Sequence, residues 1–345
     1  MMPPGSLPGI TSLASAPTTR PNRIQIRRSP MAHPQSANGD TRRERTTSLA
    51  RLTRLMPGAL DTMRSHEAAE RAVRYSMTTR AVILARGLGT RMRKADAAAQ
   101  MSGDQAQVAS TGVKALIPIG RPFLDYVLSA LADAGIHRIC LVIGPEHDLL
   151  RRRYQVETSP TRMTIDFAVQ QEPHGTADAV LAAESWTDGE PFLVINSDNY
   201  YPVDALRRLA AIDEPGLVAF SRVGLLADGQ IEPSRVASFA ALDLDGDYMR
   251  RIVEKPDAET LRALGDDVFL SMNCWRFDRR IFRMCREVPL SARGELELPA
   301  AVQLGIQTGA MRVRAIRVES AVLDLSRQVD IAGVASRLAG VEVVL

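Results

Sequence analysis

The sequence predicts an α/β protein, with a mostly parallel sheet, helices on both of its faces and a small antiparallel subdomain. Three observations predict it. Short apolar runs alternate with segments of helical period, a glycine-containing loop follows the first run, and an Asp-Gly turn separates two later strand-like segments. Arg80 to Ala85, Ile139 to Gly144, Thr164 to Val169 and Phe192 to Ser197 read as buried strands, being short apolar runs with helix-period segments between them. Between the first two, Pro122 to Gly135 sets Leu124, Val127, Leu128 and Leu131 at the i, i+3, i+4, i+7 spacing of a helix, and Gly135 is its stop signal. Sheets of this kind bind ligands at the carboxyl ends of their strands. Further on, Val236 to Leu244 and Tyr248 to Val253 form a hairpin pattern about Asp245-Gly246, and Val329 to Leu338 is the last helix.

Composition narrows the function classes. Of 345 residues, 45% are apolar and 24% charged, which is globular usage and excludes a wholly disordered chain. No run approaches the ~18 apolar residues of a membrane span, so a soluble protein without a membrane partner is expected. Cys140, Cys274 and Cys285 are odd in number and widely spaced, which argues against a disulfide framework or a thiolate zinc site and fits a reducing cytoplasm. Residues 1–80 hold 13 Arg against 5 acids. The remainder of the chain is therefore acidic, and the net charge of +3 gives no reason to expect nucleic acid as a partner. Residues 1–76, rich in Pro, Ser, Thr and Arg without apolar period, are expected to be a disordered basic leader. A start assigned too far upstream of Met77, a targeting segment and a basic arm for an unknown partner are the readings of that leader. The domain proper is expected over residues 77–340.

Forty arginines stand against three lysines. Arginine thus serves wherever a generic cation suffices, which singles out Lys114 and Lys255 inside their motifs. Arg86-Gly87-Leu88-Gly89-Thr90-Arg91 is a loop whose backbone N–H groups can cradle phosphate oxygens, with Arg91 adding charge. Alone it is equally a tight strand-to-helix turn, since Met92 stands where a dinucleotide fingerprint wants glycine and no Gly-Lys-Ser/Thr follows. Downstream come Lys114-Ala115-Leu116-Ile117-Pro118-Ile119, Val169-Gln170-Gln171-Glu172-Pro173-His174-Gly175-Thr176-Ala177, Asn196-Ser197-Asp198-Asn199, Glu254-Lys255-Pro256, Ser291-Ala292-Arg293-Gly294-Glu295-Leu296-Glu297 and Val322-Leu323-Asp324.

In that order, these motifs resemble the sugar-1-phosphate nucleotidyltransferases, with glucose-1-phosphate thymidylyltransferases and uridylyltransferases as the similar branches. The resemblance implies a Rossmann-like nucleotidyltransferase fold in a cytoplasmic enzyme. Its substrates would be a nucleoside triphosphate, with UTP or dTTP favoured, and a sugar-1-phosphate, and its products an NDP-sugar and pyrophosphate. By resemblance Ala85, Gly87, Gly89, Thr90, Gln170, Gly175 and Thr176 bind the nucleotide, Arg91 and Lys114 its phosphates, and Lys255 and Arg293 the sugar phosphate. Glu254 and Asn273 contact the sugar, while Asp198 and Asp324 hold Mg²⁺. The chemistry agrees, because two anions must be brought together and an ionised phosphate oxygen needs no general base. Gln170 is expected to make a two-pronged pair with uracil or thymine, its oxygen accepting and its nitrogen donating. Neither nucleic acid nor membrane is implied, and a homo-oligomer is compatible with this reading.

Several positions depart from the family pattern. Arg86 replaces a small residue, Arg235 a glycine, Ser271 to Trp275 a sugar-contacting segment, and Leu325-Ser326 a Thr-Gly. The 22 residues between Arg91 and Lys114, about 93–112 above all, form an insertion expected to act as a lid. These departures keep two alternatives open. One is a cytidylyltransferase acting on phosphocholine or a similar phosphoester, which would need an acidic and aromatic cage with Trp275 as its candidate. The other is a non-catalytic sugar-nucleotide-binding subunit. A covalent route through a His-x-His pair is excluded, since the sequence has no such pair.

Overall fold

Nine segments pair into one sheet, and each owes its place to apolar side chains that need cover. They are β1 (Arg80–Leu84), β2 (Arg138–Ile143), β3 (Thr164–Val169), β4 (Phe192–Asn196), β5 (Gly216–Ser221), β6 (Ala240–Asp245), β7 (Tyr248–Val253), β8 (Phe269–Phe277) and β9 (Arg314–Val318). This is a computed structural model that describes residues 77–227, 230–265 and 267–345, so the leader expected over residues 1–76 lies outside the described residues. The spatial order is β3-β2-β1-β4-β8-β5-β9-β7-β6.

The four predicted strands form the parallel half, β3 to β2, β2 to β1 and β1 to β4. The expectation of a mostly parallel sheet is corrected in the other half. There β8 runs antiparallel to both β4 and β5, and β7 runs antiparallel to both β9 and β6, so that only β5 and β9 pair in parallel. The predicted hairpin is present as β6 and β7, but it is no separate subdomain. Its first strand returns to pair with the start of β8, which closes β8, β5, β9, β7 and β6 into a ring continuous with the main sheet. The strand also begins later than predicted, because Pro233–Ser238 forms a 3₁₀ helix with proline at its start.

Helices cover both faces, as the buried strands require. The chief ones are α1 (Gly103–Thr111), α2 (Phe123–Asp133), α3 (Thr176–Ala182), α4 (Val203–Ala210), α5 (Arg280–Glu287), α6 (Leu298–Gln307) and α7 (Asp330–Leu338). Ala81 and Ile83 of β1 face a core built with Leu124 and Leu128 of α2, Leu206 and Leu209 of α4, and Ile331 and Val334 of α7. Val82 points the other way, into a core with Val180 of α3, Phe282 of α5 and Val302 of α6. The insertion carries α1, started by a capping box in which the Ser102 hydroxyl accepts from the N–H of Gln105 while the Gln105 side-chain Oε1 accepts from the N–H of Ser102. Gln328 ties the insertion to the body, accepting from the Asp96 N–H at 3.1 Å and donating to the Met92 carbonyl at 2.8 Å.

In the second core Phe192 stacks on Phe282 with ring centroids 5.5 Å apart, and Trp275 stacks on Phe277 at 5.7 Å. The three cysteines are free and buried among these cores, and burial pushes the thiols of Cys140 and Cys285 up to about 12, which leaves them unreactive. Phe192→Ala is expected to cost about 3–5 kcal/mol of stability by urea unfolding, since β4 cannot collapse onto the lost ring. A loss under about 1 kcal/mol would show that the stack is not a packing centre.

Candidate active site

The site is assembled at the carboxyl ends of β1 and β4, where the chain leaves the sheet. After β1 it passes through Ala85 to Thr90 with Gly89 at φ +60°, and a Cβ there would lie 2.2 Å from the Gly112 carbonyl oxygen. Only glycine lets the loop close onto the end of the insertion. After β4 comes Asp198, followed by Asn199–Tyr200, which pairs antiparallel with Leu323–Asp324 in the register Asn199 to Asp324. The Leu325 N–H donates to the Asp198 carbonyl at 2.8 Å. This short ladder brings together two aspartates that are far apart in the chain.

Each aspartate carries a cation. Lys114 Nζ is bonded to Asp198 Oδ2. Arg235 Nη2 is bonded to Asp324 Oδ2, and Asp324 also accepts from the Ser326 hydroxyl at 2.8 and 2.9 Å and from the Asn199 amide at 3.1 Å. Burial and the nearby Asp198 carboxylate raise the Asp324 pKa above the ordinary value, and Arg235 and Ser326 oppose that rise. Among the described residues no group of three or more His, Cys, Asp or Glu is gathered as a metal centre, so these two carboxylates are the available pair.

Three clefts adjoin. The first, about 360 Å³, is lined by Gly87 to Arg91, Lys114, Asp198, Asp324, Arg235, Glu254 and Asn273. The second, about 460 Å³, is lined by Ala85, Gly87, Gly89, Thr90, Lys114, Gln170, Gly175, Thr176 and Asp198. The first two share the glycine loop, Lys114 and Asp198. The third, about 150 Å³, continues past Glu254 and Asn273 to Trp275, Arg293, Glu295 and Glu297. Of the predicted site residues, Lys255 alone lines none of these three clefts. It is exposed, in a left-handed backbone conformation at φ +45°, and its neighbour Glu254 is the residue that enters.

Local backbone geometry explains the placements. A bulge in β8 between Ser271 and Trp275 puts Asn273 at φ +56° and against two of the clefts. Gly175, at φ +112°, sits where a Cβ would meet the Leu296 carbonyl oxygen at 2.4 Å. Leu296 also stitches this segment in place, donating to the His174 carbonyl at 2.7 Å and accepting from the Ala177 N–H at 2.8 Å. Arg293 is held by Glu297 at 3.0 Å and Glu295 at 3.6 Å. Confinement in the cleft and the Glu297 carboxylate raise the Glu254 pKa, eased by Arg293 and Lys255.

One expectation needs correcting. The Gln170 amide nitrogen donates to the Gly175 carbonyl at 3.0 Å and to Asp178 at 2.7 Å, so both its hydrogens are committed. The two-pronged pair with a base requires that same nitrogen, which leaves Gln170 with its oxygen as acceptor. Arg86 is buried beside this segment, donating from Nη2 to the Gln171 carbonyl at 2.9 Å and lying 3.7 Å from Glu146, while its Nε and Nη1 have no partner. Sequence reasoning flagged Arg235 and Ser326 only as departures and did not single out Asp178. The signal for Asp178 would have been an acid eight residues after the glutamine, across a glycine turn.

Clefts that meet on one set of phosphate-type contacts suit an α/β protein that brings two phosphorylated molecules together. The profile of the Nucleotidyl transferase family matches residues 80–325, and the chain belongs to that family. It is 25% identical over 265 residues to UTP–glucose-1-phosphate uridylyltransferase of Haloferax volcanii, covering 72% of this chain and 92% of that protein. To glucose-1-phosphate thymidylyltransferase of Neisseria meningitidis it is 26% identical over 230 residues, 65% of this chain and 74% of the relative. The structure of UDP-glucose pyrophosphorylase complexed with UDP-glucose superposes with a TM-score of 0.59 at 17% identity, over 76% of this chain and 99% of that one, a likeness of fold. No helix among the described residues is long and apolar enough to cross a membrane.

A pH prediction follows from Asp324. Its pKa is raised on folding, so its contribution to stability is present at acid pH and is lost as pH rises from the ordinary value of 3.8 through the raised folded value. In metal-free buffer Asp324→Asn should therefore remove a downward component from the Tm–pH curve over that rise. Parallel curves for variant and parent would contradict the assignment.

Proposed function

We propose that the chain transfers a nucleotidyl group from a nucleoside triphosphate, with UTP or dTTP favoured, to a sugar-1-phosphate, releasing pyrophosphate and an NDP-sugar. The sharing of Gly87 to Thr90, Lys114 and Asp198 between two adjoining clefts carries this reading. The nucleotide takes the cleft with Gln170, Gly175 and Thr176, and the acceptor takes the side with Glu254, Asn273 and Arg293. The reacting phosphates then meet where the clefts join.

The acceptor's phosphate oxygen attacks the α-phosphorus, the new P–O bond forms, and the bond to the departing pyrophosphate breaks. No proton moves. The obstacle is repulsion between anions, so the contribution required of the protein is positive charge and alignment. Lys114, Arg91 and the glycine-loop N–H groups supply it on the nucleotide side, and Arg293, fixed by its two glutamates, on the acceptor side. Lys255 lies outside the cleft linings and adds only its charge, which acts on Glu254 and Glu297. Asp198 and Asp324 fit Mg²⁺, being hard oxygen donors whose mutual repulsion a divalent cation would relieve while water and phosphate oxygens fill its other positions. When bound it would neutralise phosphate charge in the transition state.

The committed Gln170 amide supports a pyrimidine with an N3–H. Its oxygen accepts that hydrogen from uracil or thymine, whereas the N3 of cytosine would set acceptor against acceptor. The names of the uridylyl and thymidylyl relatives point the same way. A cage for a quaternary ammonium is not supported: the third cleft sets Trp275 near Glu254, Glu295 and Glu297, but Trp275 is the single aromatic residue of its lining, has no exposed surface and is stacked on Phe277.

Pyrophosphate release should be measured with UTP, dTTP, CTP, ATP and GTP against a panel of sugar-1-phosphates and phosphocholine. UTP or dTTP with a sugar-1-phosphate is expected to give the highest kcat/KM, and Asp198→Asn to lower kcat by about 10²-fold or more. Turnover of that variant within about tenfold of the parent would place the charge stabilisation elsewhere. Asp178→Ala frees the Gln170 amide to turn, so the preference for UTP over CTP should fall by about tenfold, or ~1.4 kcal/mol. An unchanged ratio would mean that Gln170 does not read the base.

A further inference from the structure

We infer that Arg235 competes with the divalent cation for Asp324, and that Asp330 is where its guanidinium retreats when the cation binds. The inference rests on the reading of Asp198 and Asp324 as metal ligands. The Arg235 side chain is only 11% exposed and spans two carboxylates, with Nη2 on Asp324 and Nη1 3.4 Å from Asp330 Oδ1. Its guanidinium carbon lies 5.8 Å from the centre of the Phe239 ring.

A carboxylate offers about four lone-pair directions. At Asp324, Oδ1 takes the Asn199 amide and the Ser326 hydroxyl, and Oδ2 takes the same hydroxyl and Arg235. Asn199 and Ser326 belong to the backbone segments that build the site, whereas Arg235 reaches in from the 3₁₀ helix at Pro233–Ser238. Arg235 is thus the donor that can leave without dismantling the ladder. A departing guanidinium needs another anion, since an unpaired buried cation is strongly disfavoured. Asp330 is that anion. Its Oδ2 is fixed by the N–H groups of Ser326 and Arg327 at 3.2 and 2.7 Å, and its Oδ1 takes Arg327 Nη2 at 3.1 Å alongside Arg235. Because the planar fork already touches both acids, the exchange is a rotation in place. Loading of the cation is then coupled to release of Arg235 from the wall of the first cleft, which Arg235 itself lines.

The test titrates Mn²⁺ alone into the full chain without nucleotide, reading free Mn²⁺ by electron paramagnetic resonance, with circular dichroism melts confirming that each variant is folded. Arg235→Ala should tighten Mn²⁺ binding at least about fivefold, and Asp330→Asn should weaken it at least about threefold. The double variant should match Arg235→Ala, because Asp330 matters only as a place for the guanidinium. Simple summation of charge predicts a double variant distinctly weaker than Arg235→Ala, and that outcome overturns the inference, as does an Arg235→Ala affinity equal to the parent's. If Asp330→Asn does not fold, the Arg235→Ala and Arg235→Gln titrations decide, unchanged affinity in both overturning it. Mn²⁺ binding indifferent to both Asp198→Asn and Asp324→Asn would remove the metal reading and the inference with it. Dependence on both aspartates without dependence on Arg235 overturns the inference alone.

Discussion

The candidate site depends on one constraint, that two carboxylates distant in sequence must lie side by side at the edge of a cleft. The two-residue pairing of Asn199–Tyr200 with Leu323–Asp324 imposes it, and the N–H of Leu325 on the carbonyl of Asp198 locks its register. Like charges held this way repel, and burial of Asp324 strengthens the effect. Much of what surrounds the pair answers that repulsion. Lys114 closes on one acid and Arg235 on the other, while Ser326, Asn199 and Gln230 saturate the backbone and side chain of Asp324. The two acids are thus held together with their charges already paired inside the protein.

The same constraint explains why the sheet is built as it is. A wholly parallel sheet would need a crossover before each return to the cleft. Here β8 runs against β4 and carries Asn273 back to the cleft through its bulge, and β7 ends at Glu254 on the same side. The ring of β8, β5, β9, β7 and β6 therefore delivers Asn273 and Glu254, and the parallel half delivers the glycine loop, Gln170 and Asp198. The sheet's change of direction at β8 divides the proposed nucleotide side from the proposed acceptor side.

That division also marks what was legible in the sequence. The parallel strands β1, β2 and β4 and helix α2 were readable because burial on two faces leaves an unbroken apolar run and the helix leaves its own period, whereas β3, also read as buried, is an edge strand that exposes Thr164 and Asp166. The hairpin was readable from its turn, but not the partner of its outer edge. Strand direction leaves no trace in apolar spacing, so β8 was seen as a changed motif and not as the antiparallel hinge of the sheet. Among site residues, those in tight motifs were found together at the clefts. Lys255 was read from its motif as a contact, whereas its left-handed backbone turns on a conformation that no composition reveals. The Gln170 amide was read as free because its partner Asp178 lies on the far side of the glycine turn. Arg235 was visible only as an oddity, since its two acids are remote in sequence.

The stitch between Gly175 and Leu296 joins segments that line different clefts. Ala177, His174 and Leu296 exchange backbone hydrogen bonds, and the Leu298 N–H donates to the Thr176 hydroxyl at 2.8 Å, so the segment holding Gln170 and Thr176 is bonded directly to the segment holding Arg293 and its glutamates. The two segments are also in close contact, since a Cβ on Gly175 would lie 2.4 Å from the Leu296 carbonyl oxygen and leaves no room for a side chain between them. Arg86 acts from the opposite side, bonding the Gln171 carbonyl and leaving two of its donor groups unmatched in the protein. The Gln170 segment is therefore tied by a backbone seam to the Arg293 loop and by a buried cation at the Gln171 carbonyl. Under the proposed assignment the nucleotide cleft and the acceptor cleft share that seam, so a substitution at Gly175 or Leu296 falls on both.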